Sequence, residues 1–458
     1  MIAPARRQAF QALLAIDRGR ADLGDALARS RDALADERDR ALTTTIVTGV
    51  QRHQAALDYQ LARLSGRPLV RLDPEVLIAL RMGAFQLIHL ERVPPPAIVS
   101  DAVTLVRTAG KSSAAGLVNA VLRRLAAGRG TLEWPARPAT PLSASTREAW
   151  VEYLAVVHSH PAWLVSRWLD RYGLAATEAW VRFDNETPRL TLAVNLARTT
   201  RQAAADSLRA DGLETEVLTF APGALAATSA ALLTSDAFRR GLVLVQDEAS
   251  QLVPLLVDVA PGSRVLDLCA APGGKTVALA AAAGEAGRVI ATDVRPKRMR
   301  VLAATLERAG AIRATPVQVG ADGPLPFPEA SFDRVLVDAP CSGLGTLRRD
   351  PDIRWRRAEA DLPALAAAQA ALLERAAPLV RPGGRLVYST CSSEPDENEA
   401  VVAGFLARHP EFDAVPLGAQ PTLPDRVRAL ATPEGWLRTY PHRDGLEAFF
   451  GAVLARKL

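Results

Sequence analysis

Apolar residues in the first part of the chain recur at intervals of three and four. Phe10, Leu13 and Leu14 do so, as do Val76, Leu77 and Leu80, then Val103, Leu105 and Val106, then Leu117, Val121 and Leu122. This spacing lines one face of each successive helix and predicts a nearly all-helical bundle over residues 5–127. The run Val93 to Pro96 must end one helix before the next begins, because proline lacks an amide donor and restricts its predecessor. Three prolines among small polar residues mark a linker at 131–145. From 146 to 240 the pattern is mixed. A stretch carrying Trp150, Trp163, Trp168 and Trp180 reads as helix, while RLTLAVN and EVLTF read as strands. Core packing is the expected role of the tryptophans, ahead of base stacking.

After residue 260 short apolar runs alternate with helical stretches. RVLDLCA leads to a helix from about Lys275, RVIATD to one from Pro296, then come TPVQV, RVLVDAP, a long helix near 358–380, and RLVYSTC. Such alternation predicts a doubly wound, mostly parallel sheet. Ligands of these sheets bind beyond the carboxyl ends of the strands. The expected architecture is multidomain: an all-α bundle over 1–135, a small α+β connecting domain over 146–240, and an α/β Rossmann-like domain over 241–458.

Composition narrows the class. Hydrophobic residues make up 49% and charged residues 23% of 458 positions, which is ordinary globular usage. The first residues lack a signal-peptide core and no apolar run reaches membrane-spanning length, so a cytoplasmic protein without membrane contact is expected. Net charge is +5 and uneven: residues 1–140 hold 20 Lys and Arg against 13 Asp and Glu, the remainder 35 against 37. A basic N-terminal end suits a polyanion such as RNA, and equally a solvated surface. Three cysteines, Cys269, Cys341 and Cys391, are too few for a disulfide framework. None has CxxC spacing or a nearby histidine, so no metal is expected. Each falls at or just past a predicted strand end.

VLDLCAAPGGKT, residues 265–276, runs from strand through a small-residue loop into a helix, which lets backbone approach a ligand closely. A P-loop needs glycine where Cys269 stands, and GxGxxG is absent, so neither NTP nor NAD is favoured. Asp293 ends the next strand, where a carboxylate can take both ribose hydroxyls, and Asp322 is placed to meet an adenine amino group. Each alone reads as a cap or turn residue; together they describe a pocket for an adenosine-containing cofactor.

RVLVDAPCSGLG (334–345) and RLVYSTCSSEPDENE (385–399) each end a predicted strand in a cysteine. C5 of cytosine is a poor nucleophile. A thiolate adding to C6 turns the ring into an enamine whose C5 attacks the methyl of a sulfonium cofactor. Asp338 is placed to hold the base at N3 or its amino group during addition. A base then removes the C5 proton and the thiol leaves. One cysteine attacks and a second group assists release; the chemistry leaves open whether Cys341 or Cys391 attacks.

LDLCAAPGGKT, DAPCSGLG and STCSSEPDENE, in that order, resemble the RNA cytosine-C5 methyltransferase family of the NOL1/NOP2/Sun type. The resemblance implies Cys391 as nucleophile, Cys341 as an aid to product release, and S-adenosylmethionine contacts from Cys269, Ala270, Ala271, Pro272, Gly273, Gly274 and Lys275 and from Asp293, Asp322 and Asp338. LVLVQDEASQL (242–252) looks like the opening of that family's catalytic domain, and HRDGLEAFFGAVLAR like its last strands. RRQAFQALLAI, DRALTTTIVTGVQRHQAALDYQLARL and GLVNAVLRRL resemble the NusB RNA-binding fold. That fusion points to the bacterial RsmB/Sun branch, which implies a class I methyltransferase domain and, as partner, a cytosine of 16S ribosomal RNA or a small-subunit assembly intermediate; a monomer is expected, though not from the resemblance. GADG departs from the family's GDG or GDA turn at Asp322. Arg348, Arg349, Arg354, Arg356 and Arg357 around Trp355 are read as an RNA-backbone contact or a solvated charge run.

Other readings make different demands. A DNA cytosine-C5 enzyme would attack with Cys341, and neither the second cysteine nor the NusB-like helices suit it. An amino-methyltransferase would carry a DPPY-like motif where DAPC stands. Action on another RNA such as tRNA stays open, as does a non-catalytic antitermination factor with a decayed site, although decay should erase the reactive groups first.

Overall fold

In the computed structural model, which describes residues 2–227 and 230–458, the early periodicity becomes α1 (Pro4–Asp17), α2 (Leu23–Asp32), α3 (Glu37–Arg52), α4 (Gln54–Ser65), α5 (Pro74–His89), α6 (Pro95–Thr108) and α7 (Ala115–Gly128). Their starts follow from local chemistry. Asp22 and Asp36 accept from the amides of Asp25 and Arg38 and so cap α2 and α3. Pro74 and Pro95 open α5 and α6, where a missing amide leaves no bond unmade. The apolar stripes meet in one core around Leu13, Val47, Leu57, Leu80, Val106 and Leu122. After the proline-bearing connection come α8 (Arg147–Val157) and α9 (Ala162–Phe183). Trp150, Trp168 and Trp180 are buried, and the last two stack at 4.5 Å, so three of the four tryptophans are core.

The chain packs as two units, Met1–Thr187 with Leu347–Glu359, and Pro188–Thr346 with Ala360–Leu458. Leu347–Glu359 is the arginine-rich segment around Trp355, and Arg354 departs from both readings of that run, as an RNA-backbone contact or as solvated charge. Arg354 is completely buried. Its guanidinium donates to the carbonyls of Arg52 (3.1 Å), Ser159 (2.9 Å) and Asp184 (2.8 Å) and to Oδ1 of Asn185 (2.8 Å). Arg348 stacks its guanidinium 3.8 Å from the Phe183 ring centre, Arg356 pairs with Asp352, and the Trp355 indole donates to the Gln51 carbonyl. Arg354 and Arg348 are thus taken up by internal acceptors and a ring, while the Arg356 side chain stays exposed.

The second unit begins with β1 (Leu190–Val194), α10 (Arg201–Ala210), β2 (Thr215–Val217), β3 (Ala224–Ala227), α11 (Asp236–Arg239) and β4 (Val243–Val245). The strands form an antiparallel sheet in the order β2-β3-β1-β4. The chain continues through α12 (Glu248–Leu256), β5 (Arg264–Asp267), α13 (Gly274–Ala283), β6 (Arg288–Asp293), α14 (Pro296–Ala309), β7 (Ala314–Gln318), β8 (Phe332–Asp338), α15 (Ile353–Arg356, within the first unit), α16 (Leu362–Ala376), β9 (Val380–Thr390), α17 (Glu399–Arg408), β10 (Phe412–Ala414), β11 (Leu437–Arg438) and β12 (Phe450–Arg456). These strands pair in the order β10-β12-β9-β8-β5-β6-β7, with β11 beside β12. From β9 to β7 every pairing is parallel, and β12 and β10 add antiparallel strands at the other end. Alternate residues serve opposite faces. Val265, Val289 and Leu336 join the core with α12, α13 and α14, whereas Leu266, Val335 and Val337 join the one with α16 and α17. Strand order reverses at β5, whose neighbours are β6 and β8, so the expected ligand crevice lies past the carboxyl ends of β5 and β8. Among the described residues no helix is long and apolar enough to cross a membrane.

Replacing Arg354 with methionine keeps the bulk but strands four acceptors, three of them buried. The first unit should lose about 3–5 kcal/mol, read as an early thermal transition in calorimetry; an unchanged melt would show that those bonds carry no stability.

Candidate functional site

The loop between β5 and α13 is shaped by backbone constraints. Gly273 sits at φ +111°, and a β-carbon there would lie 3.0 Å from Leu302 and 3.2 Å from Thr305, so glycine is needed for both conformation and space. Ala270, Ala271, Pro272 and Gly274, with Cys269, Lys275, Asp267 and Asp338, line a cavity of about 380 Å³ that also takes in Gln246, Phe238 and Arg308. Asp267 is fully buried. One of its oxygens accepts from the Thr276 hydroxyl at 2.7 Å, and the other has no hydrogen-bond partner among the described residues. Burial first, and then the neighbouring Asp338 and Asp293 carboxylates, push its pKa up to about 7. An orphaned buried acceptor in a glycine-floored cavity suits a polar ligand with donors of its own. Sequence reading passed over Asp267, although an acidic residue ending the first parallel strand was the available signal.

Lys275, at the start of α13, pairs with Asp338, at the end of β8, at 2.7 Å. Burial works against the ammonium charge, but Asp338, with Cys391 and Asp267 behind it, holds its pKa above the usual lysine range. The other Asp338 oxygen accepts from the Ser389 hydroxyl at 2.8 Å.

Past β8 and β9 the two chain segments carry Cys341 and Cys391 side by side, with their sulfurs 3.3 Å apart. The Gly345 amide donates to the Cys391 carbonyl at 2.9 Å. A β-carbon on Gly345 would fall 2.1 Å from the Ala448 carbonyl oxygen and 2.7 Å from that of Cys391, so the second glycine of CSGLG is what lets the loops touch. The hydrogen bond to Cys391, burial, and the charge of Glu397 hold the Cys341 thiol well above its ordinary pKa. Cys269 is a third case: burial and the surrounding carboxylates push its thiol up, which leaves it unreactive and part of the cavity wall.

The remaining expected residues, Asp293 and Asp322, stand outside the cavity lining. Asp293 ends β6, accepts from the Arg295 amide and pairs with Arg298 at 3.3 Å, so it works as a turn cap and ion-pair partner beside the β5 loop. Asp322 is exposed on the turn after β7, whose carbonyls at Gly320, Ala321 and Gly323 take the Arg375 guanidinium.

Comparison with known proteins agrees with this layout. The family model for 16S rRNA methyltransferase RsmB/F matches residues 254–455, the NusB family matches 3–127, and the RsmF/B-like ferredoxin-like domain matches 160–232. The chain is 34% identical over 423 residues to the probable ribosomal RNA small subunit methyltransferase B of Bacillus subtilis, covering 92% of this chain and 91% of that one. It is 35% identical to ribosomal RNA small subunit methyltransferase B of Pseudomonas putida, covering 88% and 89%. The crystal structure of a methyltransferase homologue from Pyrococcus horikoshii superposes with a TM-score of 0.56 at 26% identity, over 69% of this chain and all of that one. With bundle, antiparallel sheet and mixed sheet in the family's order, the chain belongs to the RsmB/F family of S-adenosylmethionine-dependent methyltransferases.

Proposed function

We propose that this methyltransferase transfers a methyl group to C5 of a specific cytosine in 16S ribosomal RNA, through a covalent bond between Cys391 and C6. The observation that carries the reading is the 3.3 Å pair of thiols standing past adjacent parallel strands, next to the Lys275–Asp338 ion pair. The relatives are named for small-subunit ribosomal RNA, and the basic excess of residues 1–140 suits such a polyanion.

The cavity fits the cofactor: Asp267 offers an unused acceptor, and Gly273 and Gly274 let backbone approach closely. We assign cofactor contacts to the run from Cys269 to Lys275 and to Asp293 and Asp338, with Asp322 at the margin. S-adenosylmethionine supplies an electrophilic methyl when bound. The protein's own work is on the base. Lys275 lies within electrostatic reach of Cys391, and burial with the neighbouring sulfur and Glu397 favours the neutral thiol at Cys341. As the resemblance implies, Cys391 adds to C6, and Asp338 accepts a hydrogen bond from the amino group of the base and so orients the ring for the attack. After transfer the C5 proton leaves, the C5=C6 bond reforms, and the Cys391 sulfur departs as a thiolate that the Cys341 S–H can meet by hydrogen bond.

Two expectations follow for 16S ribosomal RNA as substrate. Cys391→Ser should abolish methyl transfer, whereas Cys341→Ser should still form the bond to C6 and stall as a protein–RNA adduct visible on a denaturing gel; the reverse pattern refutes the assignment. Gly345→Ala should lower turnover by about 10²-fold or more by prising the cysteine loops apart, while cofactor affinity by calorimetry stays within about twofold, since the cavity floor is untouched. Equal loss of both would contradict the separation drawn here.

A further inference from the structure

Glu397 stands in the acidic run after Cys391 and is wholly buried. One carboxylate oxygen accepts from the Ser342 backbone amide at 2.8 Å and from Nε2 of Gln369 at 2.8 Å; the other accepts from the Ser392 hydroxyl. Ser342 directly follows Cys341, and Ser392 directly follows Cys391. Gln369, from α16, also donates to the carbonyl of Pro340, the residue before Cys341, at 3.1 Å. The Tyr388 hydroxyl closes the network on Oε1 of Gln369 and the Glu397 carbonyl. The Ser342 and Ser392 hydroxyls lie 3.1 Å apart. Gln369, Ser342, Ser392 and Tyr388 are all at most 1% exposed. Polar groups this deep cost stability unless every partner is in place, so the network has essentially one low-energy arrangement.

We infer that Glu397 is a positioning residue for the release step: its carboxylate clamps the Cys341 loop to the Cys391 loop and so keeps the Cys341 thiol against the sulfur that must leave C6. The inference rests on the reading of Cys391 as nucleophile and Cys341 as release aid. In that step a water molecule takes the C5 proton, the C5–H electron pair forms the C5=C6 bond, and the C6–sulfur bond breaks with its pair going to Cys391. The departing thiolate accepts a hydrogen bond from the Cys341 S–H. Attack on C6 does not need this contact, because Lys275 and Asp338 hold the attacking side from the start of α13 and the end of β8. Loss of the clamp therefore slows release more than addition.

The test uses the full chain, S-adenosylmethionine and 16S ribosomal RNA transcribed in vitro, with methyl incorporation, covalent adduct on a denaturing gel and thermal melting measured on each variant. Glu397→Met removes the acceptors at similar volume. It should lower turnover about 10²-fold while the adduct, scarce for the native chain, accumulates. Glu397→Gln keeps one acceptor for the Ser342 amide and offers a donor to Ser392, so both readouts should return to within about threefold of native. Ser392→Ala removes one tie and should show the same accumulation at about tenfold slower turnover; it decides the matter if Glu397→Met does not fold. Turnover and adduct falling together, unchanged adduct, or a glutamine variant as impaired as the methionine one would overturn the inference. Adding Cys391→Ser separates it from the underlying reading: adduct that persists in the double variant removes Cys391 as nucleophile, and the release role of Glu397 with it, whereas adduct lost there but unchanged in Glu397→Met leaves that reading standing and overturns the role of Glu397.

Discussion

The parallel pairing of β8 with β9 is the constraint on which the rest of the site depends. Its register sets Val337 beside Tyr388 and Asp338 beside Ser389, and one more bond, from the Ala339 amide to the Ser389 carbonyl, carries it past the strand end. Cys341 is then three residues beyond Asp338, and Cys391 two beyond Ser389. Two sulfurs fifty positions apart in sequence are thereby delivered to within 3.3 Å. A slip of one residue would turn every side chain of one strand to the other face and separate them. The buried apolar runs on both sides of the sheet, Leu336 toward one core and Val335 and Val337 toward the other, make such a slip costly.

Electrostatics then distinguishes two thiols that the backbone places almost alike. Lys275 reaches this corner from the first turn of α13, and its pairing with Asp338 keeps it charged despite burial. Glu397 lends negative charge near Cys341. One sulfur thus lies in the field of a cation and the other in that of a carboxylate. The site is an ordered gradient between neighbouring strand ends, built by a helix start on one side and a buried polar network on the other.

Much of this was legible in the sequence because parallel strands buried on both faces read as short apolar runs. RVLDLCA, RVIATD and RLVYSTC all appear as strands, and the loop cysteines sit where those runs end. β3 was not legible, since Ala224–Ala227 is alanine-rich with the helix preference that brings, and only pairing with β1 and β2 makes it a strand. Burial of single charges within charge-rich segments was not legible. Arg354 sits among exposed-looking arginines, yet four acceptors brought from distant positions hold it wholly inside the first unit. Glu397 sits among acidic residues, yet its donors come from residues 342, 369 and 392. Long-range polar partners leave no local periodicity, so neither burial could be read from spacing. Asp322 shows the converse: its strand-end position predicted a pocket contact, whereas the turn that carries it is exposed.

The central claim is that the bond to cytosine C6 is made by Cys391. Peptide mapping by mass spectrometry, after the native chain has been trapped on 5-fluorocytidine-substituted 16S ribosomal RNA and digested, tests it directly. The account predicts the nucleotide mass on the peptide containing Cys391. Finding it on the peptide containing Cys341 would contradict the account.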